Sequence, residues 1–424
     1  MKLIYLVIDG APDSLKDEIT SLEKAHKPHL DEIARKGKCG AMYVIAEGIA
    51  PESDTAVLSI LSYDPFKYYT GRGPIEAIGA DIDFKEGFEV AFRANFATID
   101  PKTLKIIDRR VGRSLTSWEA KELAKAIDGM ELGAYEGYVK VKATVAHRAV
   151  VVIGSRSYRL SGEVENTDPA YKRKGRISIA VKDYEPYIRT SKPLINNVEA
   201  KITAELVNIF TLKAIEILED HEINKDRSRR GLLKANAILL RDAGSEIPRI
   251  EPINKKFNLK FGAIAEMPVE LGIAKLLNMK VERIRPREPG EKVNYNTWLE
   301  KTLKLLSKCD VVYVHIKGPD EPGHDGNFAL KVNILEEIDR EYIKKLLESI
   351  DLDQISILVT SDHATPPSIK SHTSDPVPFA LLAPKIKPDD ASKFTERECL
   401  NKGAYGLLDH GWKLLPLIIN QLLK

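Results

Sequence analysis

The chain has 424 residues, of which 43% are hydrophobic and 30% are charged, and its formal net charge is +2. This length exceeds what one hydrophobic core usually holds, so we expect two domains, and the near balance of charge argues against a general attraction to nucleic acid or membranes. The three cysteines, Cys39, Cys309 and Cys399, form no CxxC pair, which argues against a disulfide framework or a zinc knuckle.

The first predicted element is a buried strand, the apolar run Leu3–Ile8, which ends at Asp9. The run is too short for the core of a signal peptide, and the sequence has no run of about 18 apolar residues for a membrane span. We therefore expect a cytoplasmic protein. Glutamine occurs only at Gln354 and Gln421 while Lys, Arg and Glu are abundant, a bias reported for proteins of hot environments.

The stretch APESDTAVL, residues 50–58, predicts the start of a helix. Ser53 or Asp54 could cap that helix. Ser53 could instead be a nucleophile, because the free N–H groups of a helix start favour the negative charge of a phosphoryl group. Ser59 and Ser62, inside the same apolar pattern, are poorer candidates. The stretch alone leaves the cap and the nucleophile open.

The middle of the chain, from about Asp81 to Ile250, follows a different pattern. It contains the β-rich pieces GYVKVKATV and HRAVVVIG, many basic residues and a long amphipathic stretch, Asn197–Asp220. We interpret residues 81–250 as a lid domain inserted into a core domain, which comprises residues 1–80 and 251–424. The sheet of the core domain is expected to resume near Phe261.

The last third of the chain predicts strands that alternate with helices. Asp310–Ile316 and Ile355–Thr360 are apolar runs typical of buried strands, whereas Trp298–Ser307 and Lys331–Ser349 have helical patterns. Such alternation is typical of an α/β fold with a mostly parallel sheet.

Carboxylates and histidines follow the predicted strands of the core domain. Ligands of an open α/β sheet bind outside the carboxyl ends of its strands. Asp and His are suited to zinc, manganese and related divalent ions. Any one of these residues alone is more often a turn former, a helix cap or a structural histidine, but their shared position favours two ions, and two ions suggest phosphoryl or hydrolytic chemistry with an activated serine. The residues are Asp9, Asp320, His324, Asp362, His363 and His372.

Six motifs in chain order carry a family resemblance. They are VIDG (7–10), PESDTAVLSILSYDP (51–65), YYTGRGPIEAIG (68–79), HIKGPDEPGHDGN (315–327), VTSDHATPP (359–367) and HTSDPVPF (372–379). Together they resemble the archaeal type of cofactor-independent phosphoglycerate mutase, a branch of the alkaline phosphatase superfamily, essentially from end to end. The resemblance implies an alkaline-phosphatase-like core, a mostly parallel sheet flanked by helices, with an inserted α+β lid.

The resemblance also implies an activity and the residues that carry it. The reaction would interconvert 3-phosphoglycerate and 2-phosphoglycerate in glycolysis and gluconeogenesis, with Ser53 as the phosphorylated nucleophile and without 2,3-bisphosphoglycerate. Two divalent ions are implied, Mn²⁺ first, with Zn²⁺, Co²⁺ or Mg²⁺ as alternatives. One ion would be held by Asp9, Ser53, Asp362 and His363, and the other by Asp320, His324 and His372. We expect a small phosphorylated substrate and no nucleic-acid or membrane partner, and we leave a homo-oligomer open.

A substrate with a phosphate and a carboxylate needs guanidinium clamps. Arg72 is the preferred candidate because it stands between two glycines, which allow a close backbone approach to a ligand. About half of the candidates are expected to be solvated surface charges. The full set is Arg72, Arg93, Arg110, Arg113, Arg148 and Arg241, with Lys317 near the metal loop.

Several positions depart from the family pattern and bear on substrate handling, among them Ser62, which stands where a glycine is expected. Glu52 stands where a glycine is expected before the nucleophile, Ala50 where an arginine is common, and Ala170 where a histidine often follows the proline. Three alternatives therefore stay open: a metal-dependent phosphatase or phosphodiesterase, a phosphomutase for another small metabolite, and a catalytically silent, metal-stabilised binding protein.

Overall fold

The computed structural model describes residues 1–174, 177–181, 183–288 and 291–423. Its strands are β1 Lys2–Ile8, β2 Lys38–Met42, β3 Glu89–Asp100, β4 Lys105–Asp108, β5 Gly137–Ala143, β6 Arg148–Ser155, β7 Tyr171–Lys174, β8 Ile177–Ala180, β9 Ala237–Gly244, β10 Phe261–Ala265, β11 Lys280–Arg283, β12 Val311–Ile316, β13 Ile355–Thr360, β14 Val377–Leu382 and β15 Leu407–Leu408.

The helices are interspersed with these strands along the chain. They are α1 Ser21–Lys24, α2 Pro28–Lys36, α3 Ser53–Ile60, α4 Pro65–Tyr68, α5 Arg72–Gly79, α6 Ser117–Ile127, α7 Val198–Glu219, α8 Glu222–Arg229, α9 Ile253–Phe257, α10 Pro268–Leu276, α11 Tyr295–Leu306, α12 Asp320–Asp325, α13 Phe328–Ile338, α14 Lys344–Ser349, α15 Glu396–Lys402 and α16 Leu414–Leu422. Within the described residues, no helix combines the length and the apolar character needed to cross a membrane.

The larger sheet has eight strands in the order β11-β10-β12-β1-β13-β14-β2-β15. Strand β1 lies at its centre and pairs in parallel with β12 and with β13, while β14 runs antiparallel to both of its neighbours. The predicted mostly parallel α/β sheet is therefore confirmed. Since Val7 is paired with His315 on one side and Thr360 on the other, the carboxyl ends of these three strands lie at one edge.

Both faces of this sheet are buried, which explains the continuous apolar runs of its strands. Along β1, Ile4, Leu6 and Ile8 belong to the hydrophobic cluster on one face. Leu3, Tyr5 and Val7 alternate with them and belong to the cluster on the other face, as the period of two in a strand requires.

A second sheet is built from residues 89–244, all within the segment expected to form the lid. Strand β3 lies between β6 and β9 and also pairs with β4, and every pairing in this sheet is antiparallel. Helix α7 packs on the sheet through residues such as Leu206 and Phe210, which share one hydrophobic cluster with Phe92 and Val151. The second sheet and the helices packed on it therefore share a hydrophobic core of their own.

One predicted helix contains a π-helical turn. The pattern Lys331–Ser349 predicts a single helix, and the helical backbone runs without a break from α13 through the π-helical turn Asp339–Ile343 into α14. The first residue of this turn has a tertiary partner, because the Asp339 carboxylate accepts hydrogen bonds from the backbone N–H groups of His29 and Leu30. These groups belong to the first turn of α2, whose own N-cap side chain makes no capping bond.

Candidate active site

Asp9, Asp362 and His363 form the first metal-type group, directly after β1 and β13. Their ligand atoms lie within 4.8 Å of one another and all three residues are buried. The Nε2 atom of His363 lies 3.4 Å from Oδ1 of Asp9 and 3.3 Å from Oδ2 of Asp362. These are the three non-serine residues that the resemblance assigned to one ion.

The atoms that point into this first group have no hydrogen-bond partner among the described residues. They are Asp9 Oδ1, Asp362 Oδ2 and His363 Nε2. The other carboxylate oxygen of Asp362 is held, since it accepts from the backbone N–H of Gly10 and of His363, both at 3.1 Å. Leaving buried polar atoms unpartnered costs about 1–3 kcal/mol each. A divalent cation would satisfy all of them, so the residues fit such an ion.

Asp320, His324 and His372 form the second metal-type group, which is more exposed than the first. Asp320 and His324 lie one turn apart on α12, and the Nε2 atoms of His324 and His372 each lie 3.4 Å from Asp320 Oδ1. Burial opposes protonation of His372, but the hydrogen bond and charge of Asp320 outweigh it and raise its pKa to about 10. The surroundings of His372, above all the Asp320 carboxylate, therefore stabilise a positive charge.

The outer nitrogens of the two histidines bond to backbone carbonyls. Nδ1 of His324 lies 3.2 Å from the carbonyl of Lys370, and Nδ1 of His372 lies 2.8 Å from that of Pro51. A carbonyl can only accept, so each Nδ1 carries a proton that it donates away from the group, and Nε2 is the ring nitrogen that faces Asp320. The second bond also ties the start of α3 to this group.

Ser53 is the first residue of α3 rather than its cap. Glu52, with φ −90° and ψ 155°, occupies the N-cap position and its side chain makes no capping bond, so the capping interpretation of Ser53 and Asp54 is wrong. Ser53 therefore lies among the N–H groups of the first turn, where an anion is stabilised. Its roles as nucleophile and metal ligand stay predictions.

His315 and Glu270 were missed by the sequence reasoning. Nε2 of His315 lies 3.4 Å from Asp362 Oδ2, and its Nδ1 bonds to the Tyr313 hydroxyl at 2.9 Å. Burial and Lys317 oppose its protonation, but Asp362 and Asp9 prevail and raise the pKa of His315 to about 9.

Neither residue has a strong signal in the sequence. His315 opens the HIKGPDEPGH motif, but inside a strand it resembles a core residue. Glu270 lies in the apolar segment MPVELGIAKL of α10, yet it is 1% exposed.

Three candidate arginines meet beside α5, one from that helix and two from strands of the second sheet. Arg72 of α5 donates from Nε to Glu76 at 2.6 Å, and Arg93 of β3 lies 3.5 Å from the same carboxylate. Arg241 of β9 is paired with Arg93 in the second sheet and donates to Asp168 at 3.0 Å. Burial, Arg72 and Arg241 together lower the pKa of Arg93 to about 10. Crowded cations of this kind favour binding of an anion.

The other basic candidates have different surroundings. Burial lowers the pKa of Arg110, and Arg113 adds to the effect. Burial also lowers the pKa of Arg148, and Arg110 adds to that effect. Arg113 forms a two-pronged ion pair with Asp325 of α12, with both N–O distances 3.0 Å. Lys317 lies 2.6 Å from Glu270 and 3.3 Å from Asp9. Substrate binding by any of these residues stays a prediction.

Lys331 ties the loops that carry the metal-type groups. Its buried ammonium donates to Asp13 Oδ1 at 2.6 Å, to the Pro12 carbonyl at 3.1 Å and to the Thr365 carbonyl at 2.9 Å. Pro12 and Asp13 follow β1, Thr365 follows β13, and Lys331 itself is on α13, just after the loop of the second group. One charge therefore holds three segments together.

Replacing Lys331 by methionine should lower the free energy of unfolding by about 3–5 kcal/mol, because it leaves the buried Asp13 carboxylate without its counter-charge. Denaturant unfolding followed by circular dichroism measures this. Lys345→Met, which removes an exposed pair with Glu341, is the control and should change the value by no more than about 0.5 kcal/mol. Equal effects of the two variants would contradict the role given to Lys331.

Glu396, in the same region, makes the stability of the fold depend on pH. Burial raises its pKa to about 7, against the lowering effect of hydrogen bonds from Asp13 N and Thr20 Oγ1. Because this lies above the ordinary value of 4.5, the neutral carboxyl stabilises the fold. That contribution is complete below the ordinary value and is lost as the pH rises through about 7.

The difference in the free energy of unfolding between Glu396→Gln and the unmodified protein should therefore shift in favour of the variant as the pH rises from about 5 to about 8. The shift should be on the order of 3 kcal/mol. Unfolding curves of both proteins across this range measure the difference. Glu398→Gln on the same helix should show no such gain, since Lys402 lowers the pKa of Glu398 despite its partial burial. A difference independent of pH would contradict the assignment.

Comparison with known proteins points to one family. The family model described as 2,3-bisphosphoglycerate-independent phosphoglycerate mutase matches residues 34–224. A protein of that name from Aeropyrum pernix is 45% identical over 426 aligned positions, with 100% of each chain covered. The 2,3-bisphosphoglycerate-independent phosphoglycerate mutase 1 of Methanocaldococcus jannaschii is 38% identical, with 98% of this chain and 96% of the relative covered.

Solved structures agree with the sequence comparisons. The cofactor-independent phosphoglycerate mutase from Thermoplasma acidophilum is 30% identical, with a TM-score of 0.60 and 98% of each chain covered. The PH0037 protein from Pyrococcus horikoshii has the same fold, with a TM-score of 0.77, 27% identity and coverage of 99% of this chain and 96% of that one.

Proposed function

Since the chain belongs to the family of 2,3-bisphosphoglycerate-independent phosphoglycerate mutases, we propose that it interconverts 3-phosphoglycerate and 2-phosphoglycerate through a phosphoserine at Ser53. The observation that carries the proposal is the convergence of two metal-type groups at the ends of three adjacent strands, beside the first turn of α3. The enzyme is metal-dependent. We propose two divalent ions, manganese in the first place, with zinc, cobalt or magnesium as alternatives.

Ser53 would carry the phosphoryl group from the 3-oxygen to the 2-oxygen of the glycerate. The Ser53 hydroxyl would lose its proton as its oxygen attacks the phosphorus of 3-phosphoglycerate, the bond to the substrate oxygen would break, and the freed glycerate would take up a proton. The glycerate would reorient, its 2-hydroxyl would lose its proton as that oxygen attacks the phosphoserine, and the released Ser53 oxygen would take up a proton again. Divalent ions, when bound, lower the pKa of a coordinated hydroxyl and neutralise phosphoryl charge.

The arginines would hold the substrate during its reorientation. Arg72 comes from the core domain, whereas Arg93 and Arg241 come from the lid, so both domains supply cations to one cluster. Such a cluster suits a ligand with a phosphate and a carboxylate. A lid closed over Ser53 would also keep water from the phosphoserine. This exclusion of water distinguishes a mutase from a phosphatase, in which water attacks the phosphoserine.

The test is to incubate the purified protein with Mn²⁺ and 3-phosphoglycerate and to measure 2-phosphoglycerate and free phosphate separately. We expect isomer formation without phosphate release, at a rate that is the same with and without 2,3-bisphosphoglycerate. Release of phosphate without isomer would favour the phosphatase alternative. Absence of any reaction, with no divalent ion bound, would favour the silent binding protein.

A further inference from the structure

Thr365 lies between the two metal-type groups and contacts both. Its Oγ1 is 2.9 Å from Nδ1 of His363, which belongs to the first group. The same oxygen is 2.8 Å from Oδ1 of Asp320, which belongs to the second group. Thr365 is fully buried, so no water competes for these contacts. One hydroxyl therefore joins a histidine of one group to a carboxylate of the other.

The direction of the two hydrogen bonds follows from the chemistry of the three side chains. An ionised carboxylate can only accept, so the Thr365 hydroxyl gives its single proton to Asp320. The hydroxyl oxygen can then only accept from His363, which must carry its proton on Nδ1. The Nε2 atom of His363 is thereby left with a lone pair, and this atom points toward Asp9 and Asp362 without a hydrogen-bond partner among the described residues.

The surrounding backbone holds Thr365 in this position. Its N–H donates to the Pro12 carbonyl at 3.0 Å, and its carbonyl accepts from Lys331 at 2.9 Å. Two glycines leave room for it. A Cβ added at Gly10 would lie 2.8 Å from Thr365 Oγ1, and one added at Gly323 would lie 2.3 Å from the Thr365 carbonyl oxygen. The threonine is therefore enclosed by all three segments that supply the metal-type groups.

We propose that Thr365 is a positioning residue that sets the tautomer of His363 and the orientation of Asp320 together, so that loss of its hydroxyl weakens both metal sites at once. The inference rests on the proposed two-metal function. Loss of a residue that orients a metal ligand typically costs about 10–100-fold in metal affinity. The expected effect differs from that of a ligand substitution, which acts first on its own site.

The experiment measures Mn²⁺ binding by titration calorimetry, together with the tautomer of His363 by nitrogen NMR on histidine-labelled, metal-free protein. In the unmodified protein we expect two bound ions and a proton on Nδ1 of His363. Thr365→Val should weaken the binding of both Mn²⁺ ions by about 10–100-fold. In the metal-free variant, the His363 tautomer with its proton on Nε2 should also be populated. Thr365→Ser, which keeps the hydroxyl, should restore both properties. Thr211→Val removes a buried lid hydroxyl that bonds to the Val207 carbonyl and is the matched control.

Three results would overturn the inference: wild-type Mn²⁺ binding by Thr365→Val, weakening of only one of the two sites, or a proton on Nε2 of His363 in the unmodified protein. The last measurement needs no variant, so it applies even if Thr365→Val does not fold. Failure of the proposed function is distinguishable: if the two-metal premise fails, the unmodified protein itself binds no Mn²⁺, and if only the mutase activity fails, Mn²⁺ binding and its dependence on Thr365 are unchanged.

Discussion

Replacing Ser53 by alanine is expected to lower kcat for the mutase reaction by at least about 10⁴-fold, the order seen when a covalent nucleophile is removed. Without the hydroxyl, no phosphoserine forms and the phosphoryl group has no acceptor on the protein. The expected loss is large because Ser53 lies in the first turn of α3. The N–H groups of that turn stabilise the charge of a phosphoryl group only when the group is bound to the residue at this position. Steady-state assays with coupled detection of 2-phosphoglycerate measure the loss.

Ser59→Ala is the control for this variant, since Ser59 lies on the same helix and its hydroxyl donates to the Val44 carbonyl. It should keep most of the activity and change stability only. Mass spectrometry after rapid quenching should find a phosphorylated peptide that contains Ser53 in the unmodified enzyme and none in Ser53→Ala. Full activity of Ser53→Ala would refute the covalent mechanism.

Asp320→Asn is expected to remove one of two bound ions and to lower kcat by about 10³-fold, which corresponds to about 4 kcal/mol of lost charge stabilisation. Asp320 is the single carboxylate of the second group, and both of its histidines lie 3.4 Å from the same oxygen. The amide retains the shape but loses the charge. Metal analysis after gel filtration gives the ion count, and activity is measured on the same sample.

Asp325→Asn is the matched control, because Asp325 lies on the same short helix but pairs with Arg113 instead of a histidine. It should bind both ions and keep most of kcat. Two bound ions in Asp320→Asn, with unchanged activity, would show that the second group does not hold a catalytic ion.

The sequence was sufficient to predict the parts of the site that depend on local pattern. The runs that form β1, β12 and β13 are apolar and short, and the residues after them are Asp or His, so the general rule for parallel sheets brings Asp9, Asp320 and Asp362 to one edge. The comparisons confirm the family that the six motifs indicated.

What the sequence did not predict depends on tertiary neighbours. Nothing local shows that the Arg113 guanidinium is already paired with Asp325, or that Asp339 accepts the first N–H groups of α2. Glu270 is hidden for the same reason, since its partner Lys317 is distant in sequence. Glu52, the departure next to Ser53, is the N-cap residue of α3, and its charge helps to raise the pKa of His372, but its effect on substrate handling stays untested.

The central place of β1 in the larger sheet has a consequence for how the chain is synthesised. Both strands that flank β1 come from the far part of the sequence, since Ile8 is paired with Ile316. At about 5–20 residues per second, a ribosome needs roughly 15–60 seconds to make the intervening residues, about 300 in number. During that interval neither β12 nor β13 is available to pair with the LIYLVI segment, whereas the second sheet, with a hydrophobic cluster of its own, can form as soon as its residues leave the ribosome. We therefore expect chaperone binding to the nascent chain to concentrate at its first strand.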